Sequence, residues 1–191
     1  LQPMNRYPKN RLEYYVYKNF ILPRDGEWQI APLAPVPPRS EYAKQGMAAE
    51  EIALPEVLSR AGYTTGWIGK WHLGFGDDRV PGARGFRDQC GFYEAFSLYA
   101  PVTDTNIVSS RHTYFSDKHM WAQARKGLCA VRRNGAVIDE KEYLTFAIAR
   151  EANAFIRSNA SARSPFLLYL PFNAPHTPFQ VPRPYYDRFG H

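Results

Sequence analysis

Apolar and polar positions along this 191-residue chain change period several times, and each change marks an element. The pattern becomes regular near Glu50. Leu54-Pro55-Glu56-Val57-Leu58-Ser59-Arg60-Ala61-Gly62 predicts a short helix, with Pro55 in its first turn, Arg60 near its C-terminus and Gly62 just beyond as a left-handed cap. Tyr63-Thr64-Thr65-Gly66-Trp67-Ile68-Gly69 is β-branched and aromatic and predicts a buried strand. Residues 71–112 are glycine-rich and aperiodic, which predicts long loops. The stretch Val131–Ile138 centres on Asn134-Gly135, the strongest short hairpin signal. Leu144, Ile148, Ala152 and Phe155 then fall at i, i+4, i+8 and i+11, one stripe of an amphipathic helix over roughly 140–158. After a polar turn at 159–164, Pro165-Phe166-Leu167-Leu168-Tyr169-Leu170 is nearly continuous in apolar character, as in a strand covered on both faces. Helix followed at once by strand, with no internal repeat, gives an α/β class with a mostly parallel sheet flanked by helices. Chemistry is expected at the C-terminal ends of its strands.

Composition narrows the picture. The chain is 45% hydrophobic and 15% aromatic, enough apolar surface to order most of it. The longest apolar stretch, near 165–172, is less than half of the roughly 20 residues needed to cross a bilayer, so no membrane span is expected. Cys90 and Cys129 are too few for a disulfide framework or a cysteine-rich zinc module; one bridge or two buried thiols both remain open. Residues 1–49 lack either period and form an irregular, proline-rich surface segment, with Pro32, Pro35, Pro37 and Pro38 favouring an extended path. The remainder, 50–191, is the α/β core portion of a single domain. Leu1 is no initiator, no charged and apolar leader follows it, and Phe189-Gly190-His191 closes directly on an aromatic segment. Both ends read as cuts, so the chain is expected to be an internal piece of a longer protein.

Two strand ends carry polar clusters. Gly69-Lys70-Trp71-His72-Leu73-Gly74 follows the first strand. In an extended chain Lys70 and His72 point to one face, and an ammonium beside an imidazole makes an anion site with a proton-transfer group. Asn173-Ala174-Pro175-His176-Thr177-Pro178 follows the second, with two prolines stiffening the loop around His176. A single loop histidine is an ordinary surface residue; two at separate strand ends, one beside a lysine, make a candidate site.

These residues resemble a known family. Leu54–Leu58 with Ala61-Gly62-Tyr63-Thr64-Thr65-Gly66-Trp67-Ile68-Gly69-Lys70-Trp71-His72-Leu73-Gly74 is similar to the second signature of the sulfatases, within the alkaline-phosphatase-like superfamily. Arg84-Gly85-Phe86 followed by Cys90-Gly91-Phe92-Tyr93 resembles the family's glycine–phenylalanine segment, with Arg87 where an Asp is common. Residues 165–178, then Tyr185 to Phe189, resemble the strand and loop that carry a catalytic histidine. The resemblance implies hydrolysis of a sulfate monoester at a formylglycine made from cysteine or serine, with one divalent cation, usually calcium. It implies that Lys70 binds sulfate, that His72 holds the formylglycine hydroxyls and helps eliminate sulfate, and that His176 touches the sulfate and protonates the departing alcohol. A sulfated small molecule or sulfated glycan is the implied substrate, and export to a periplasm, the outside or a lysosome the implied location.

The family's nucleophile motif, Cys/Ser-x-Pro/Ala-x-Arg, does not occur in these residues. Cys129-Ala130-Val131-Arg132-Arg133 has Val131 where Pro or Ala is needed and lies downstream of Lys70; Cys90 fails more plainly. Asp77-Asp78 reads as a solvated loop and not as the metal pair. Formylglycine and cation ligands are therefore expected outside this chain, which alone is expected to be inactive and poorly soluble, with interior strands left as edges. Two other readings stay open. A related fold could cleave phosphate or phosphonate monoesters. The segment 1–24, with Arg6, Lys9, Arg11, Lys18 and Arg24 among tyrosines, could bind an acidic polymer. A surface loop explains that charge more cheaply, and no nucleic-acid partner is expected.

Overall fold

The computed structural model describes residues 46–112 and 115–189. The proline-rich and basic–aromatic stretches of the first 45 residues lie outside them. Helix α1 (Leu54–Arg60) leads into β1 (Thr64–Lys70), β2 (Asp88–Phe92) and β3 (Ile107–Ser109). Helix α2 (Phe115–Gln123) precedes the short strands β4 (Arg132–Arg133) and β5 (Ala136–Val137). Helix α3 (Leu144–Asn159), β6 (Phe166–Tyr169), β7 (Gln180–Pro182) and α4 (Arg183–Tyr186) complete the order.

Five strands form one mixed sheet in the order β5-β4-β2-β1-β6, and β3 pairs with β7 in a separate ribbon. The three strands β2, β1 and β6 run parallel, with Lys70 opposite Phe92 and Trp67 opposite Tyr169. The predicted hairpin forms β4 and β5, turning at Asn134 and Gly135 with φ of 46° and 86°, and adds the antiparallel portion. β1 is buried through its central five residues, as its uninterrupted apolar run predicts. One sheet face packs Ile68, Cys90 and Phe92 under the α3 stripe of Leu144, Ile148, Ala152 and Phe155, all four buried as the spacing requires. The other face holds Trp67, Trp71 and Phe86 in edge-on contacts at 5.8 and 5.9 Å. Burying such side chains contributes roughly 1.5–3 kcal/mol each.

Three sequence expectations need correction, and one helix was not foreseen. Residues 71–112 are not all loop. β2 and β3 lie within them, and Asp-Gln-Cys-Gly-Phe becomes a central strand by pairing although it lacks β-branched residues. Helix α2 carries no amphipathic stripe, so no sequence period marks it. Helix α3 starts at Leu144 and not near 140. The Arg125 guanidinium binds the carbonyls of Glu140 and Glu142 and holds them outside a helical ladder. β6, read as a covered strand, pairs with β1 alone among the described residues, leaving Phe166 and Tyr169 at 36% and 42% exposure.

The three parallel strands meet tightly at Gly69. Its φ is +130°, and a Cβ there would lie 2.0 Å from the Pro171 carbonyl oxygen. Lys70 N–H donates to that same carbonyl at 2.8 Å. Gly69→Ala should therefore lose about 3 kcal/mol, combining backbone strain with a backbone clash. Chemical denaturation of the full-length protein measures this; an unchanged midpoint would show that the strands can separate at no cost.

Candidate active site

The C-terminal ends of β1, β2 and β6 point the same way and continue as paired backbone beyond the strands. Trp71 N–H donates to Phe92 C=O at 2.9 Å, and His72 N–H to Tyr93 C=O at 3.0 Å. Lys70 N–H, bonded to Pro171, ties the third strand end to the first. Lys70, His72 and Glu94 thus lie on neighbouring strand extensions, with the His176 loop following on the third. Trp71 is pinned in the core by its indole N–H, which donates to Arg79 C=O at 2.9 Å.

Strand alternation does not explain how His72 joins Lys70. β1 ends at Lys70, and His72 has φ 55°, a left-handed conformation uncommon outside glycine. A turn at that residue, and not a shared pleat, sets its direction. Its electrostatics place it with the others. His72 is held below its ordinary pKa of 6.5, chiefly by burial and then by the Lys70 charge; Glu94 opposes this, and His176 adds a further push down. Burial likewise lowers Lys70, with Glu94 pulling it back up. Lys70 and His176 each act on the His72 charge, and so does Glu94, which sequence reasoning missed. Its carboxylate is fixed by accepting the Ala95 N–H at 2.8 Å. Tyr93-Glu94 carries no recognisable spacing signal, and only the register of β2 against β1 exposes it.

His176 is exposed at the site's outer side, between cis prolyl bonds at Pro175 and Pro178. Its ring Nδ1 lies at hydrogen-bond distance from Thr177 C=O, which can only accept, so Nδ1 carries the proton and Nε2 is left to meet a ligand. The loop is held by a buried strap, residues 97–100. Asn173 Nδ2 donates to Ser97 C=O at 3.0 Å, Tyr99 O–H to His176 C=O at 2.8 Å, and Ala100 N–H to Gln180 Oε1 at 3.2 Å. Arg125 in turn binds the carbonyls of Leu98 and Tyr99, and Leu144 N–H donates to Tyr99 C=O. Ser97, Tyr99, Asn173 and Gln180 are separated from their partners by 76–80 residues in sequence, so no local pattern could have found them.

The remaining candidates lie elsewhere. Cys90 and Cys129 are buried free thiols, pushed by burial up to about 11 and about 12, which suits packing and not nucleophilic attack. Asp77 and Asp78 are exposed, and Asp78 pairs with Arg79. Among the described residues no group of three or more His, Cys, Asp or Glu side chains could hold a metal ion. The residues around Lys70 do not fit a cation, since its own ammonium would repel one. Nor is any helix among the described residues long and apolar enough to cross a membrane.

The family model named Sulfatase matches residues 31–191. N-acetylgalactosamine-6-sulfatase of Mus musculus is 31% identical over 150 residues, 76% of this chain and 27% of that protein. Arylsulfatase of Klebsiella aerogenes is 30% identical over 139 residues, 71% of this chain and 26% of that protein. The crystal structure of Ps i-CgsB in complex with k-i-k-neocarrahexaose aligns with a TM-score of 0.61 at 30% identity, over 76% of this chain and 31% of that one. The chain spans about a quarter of the length of the curated relatives it matches.

Tyr99→Phe, which removes one buried donor and leaves the His176 carbonyl unpaired, should cost about 1 kcal/mol. It should also broaden the His176 ring resonances in NMR spectra. Sharp, unshifted resonances would show that the strap does not hold the loop.

Proposed function

Since the chain belongs to the sulfatase family, we propose that the whole protein hydrolyses a sulfate monoester, releasing an alcohol and inorganic sulfate. The observation that carries this is the placement of Lys70 and His72 at the end of β1 and of His176 in the loop after the parallel strand β6, with Lys70 and His176 both acting on His72. A sulfuryl group spreads negative charge over its oxygens, and a preorganised cation is the strongest way to stabilise that charge as the bond to the alcohol breaks. Lys70 supplies it. His72, kept below its ordinary pKa, is neutral at pH 7 and can accept a proton from a hydroxyl of the attacking group. His176, with Nδ1–H held by Thr177 C=O, acts as an acid in its doubly protonated form, giving the Nε2 proton to the oxygen that leaves with the alcohol.

In this reading the formylglycine and the divalent cation, calcium in the family resemblance, belong to residues outside this chain. Neither buried thiol suits attack, and among the described residues the donors do not fit a cation. The chain alone is therefore inactive in this reading. A sulfated carbohydrate is the favoured substrate class over a sulfated small molecule. N-acetylgalactosamine-6-sulfatase and the neocarrahexaose complex are among the similar proteins, and both names point to saccharides. Action on exported glycans would place the protein outside the cytoplasm.

Lys70→Ala in the full-length protein should reduce kcat/KM for a sulfate ester by a hundredfold or more, roughly 3 kcal/mol of transition-state stabilisation. Retention of full activity would remove Lys70 from the site. The pH profile gives an independent check. The acid limb of kcat/KM should fall below pH 6.5, since His72 must be neutral and its pKa is lowered. Glu94→Gln should move that limb further down, because the carboxylate is the group that raises the His72 pKa. A limb that rises or stays put contradicts the assignment.

A further inference from the structure

Asn159-Ala160-Ser161 has no part in the chemistry above. It is the one place in the chain where Asn is followed two residues later by Ser or Thr, with no proline between or directly after. Asn159 is the last residue of α3, and the motif opens the polar turn that leads to β6. Ala162 N–H donates to Asn159 C=O at 3.1 Å, which folds the motif into a tight turn. Ala160 N–H donates to Ile156 C=O at 2.8 Å, so the turn is anchored on the helix. Asn159 is half-buried, and every residue from Ala160 to Pro165 is exposed.

We propose that Asn159 is a modification site, glycosylated at its side-chain nitrogen during export through a secretory pathway. The inference rests on the placement of the protein outside the cytoplasm given above. The reaction needs an Asn amide with a hydroxyl residue two positions on, in a segment that lies at the surface. Its donor is an oligosaccharide carried on a lipid diphosphate. Nδ2 bonds to the anomeric carbon, the bond from that carbon to the diphosphate oxygen breaks, the lipid diphosphate leaves and one amide proton is lost.

The fold accommodates the product. Nδ2 donates to Phe155 C=O at 2.8 Å. A primary amide nitrogen carries two protons and the glycosylated one keeps a single proton, so this bond survives the transfer. The turn also lies at the end of the sheet remote from the reacting groups. Thr64 pairs with Phe166 at the start of β1 and β6, and Thr64 N–H donates to Pro165 C=O at 3.0 Å, whereas Lys70 closes β1. At about 3.3 Å per residue, the length of β1 puts roughly 20 Å between its two ends. A glycan rooted at Asn159 therefore stands clear of Lys70 and His72. The surface beside the turn is apolar. Ile156, one helical turn before Asn159, is 40% exposed. Phe166, packed edge-on against Phe155 at 5.6 Å, is 36% exposed. A bulky, hydrated glycan at this point shields that surface.

The test expresses the full-length protein in a yeast secretory host, once with its natural N-terminus and once behind the host's own leader. Peptide N-glycosidase removes a glycan and converts its Asn to Asp, so mass spectrometry of the tryptic peptide Ser158–Arg163 reads the site directly. The leader-directed protein should show this conversion at position 159. Ser161→Ala, which leaves the Asn159 side chain in place, should abolish it, and Ser161→Thr should retain it. Asn159→Gln should lose the mass of one glycan and leave kcat/KM for a sulfate ester unchanged. A secreted protein with Asn159 bare overturns the site, as does conversion that persists in Ser161→Ala. A fall in kcat/KM in Asn159→Gln overturns the placement of the glycan away from the reacting groups. Failure of the location reading looks different. The form with its natural N-terminus then stays in the cytosol unmodified while the leader-directed form carries the glycan, which overturns export and the natural modification with it.

Discussion

The site depends on how closely three parallel strands approach one another at Gly69. A backbone without Cβ lets the Pro171 carbonyl come within reach of the Lys70 amide, and Gly91, where a Cβ would lie 1.8 Å from the Gly69 carbonyl oxygen, lets β2 close from the other side. Widening that contact by one methyl group would push β6 outward. The His176 loop, which begins two residues after Pro171, would move with it. Lys70 and His72 are fixed by β1, which is buried on both faces, so they could not follow. The relative position of Lys70, His72 and the His176 loop is therefore set by backbone packing, not by contacts between their side chains.

The second element of preorganisation is the strap at residues 97–100. It stands between the His176 loop and the start of α3, and hydrogen bonds run through it in both directions. Arg125 closes the far side by occupying carbonyls that neither a sheet nor a helix would satisfy. Burial lowers its pKa to about 10, which still leaves the guanidinium charged at neutral pH. An always-charged, forked donor is suited to gathering several carbonyls at once, and a shorter or neutral side chain would leave some unpaired. The helix start is displaced to Leu144 as a consequence.

The two halves of the site differ in character, and that difference has a chemical use. Around Lys70 and His72 the surroundings are partly buried, so charge is felt strongly there. His176 by contrast is exposed. A sulfate ester divides the same way, with a compact anion at one end and a bulky, uncharged alcohol at the other. His176 has its Nδ1 tied to its own backbone and its other nitrogen free.

Much of this was legible in the sequence. Residues 54–74 fixed a capped helix running into a buried strand, because proline, glycine and β-branched residues each restrict the backbone wherever they occur. The stripe from Leu144 to Phe155 and the Asn134-Gly135 turn were equally plain, since helical period and hairpin chemistry are local properties. Lys70, His72 and His176 could be named because each follows a strand signal. Tertiary structure decided the rest. Asp88–Phe92 is a strand through pairing with β1, not through its own propensity. Glu94 belongs to the site through register, and Tyr99 supports His176 across 77 residues. Local restrictions on φ and side-chain period are written along the chain, whereas contacts between distant segments exist only once the sheet has brought them together.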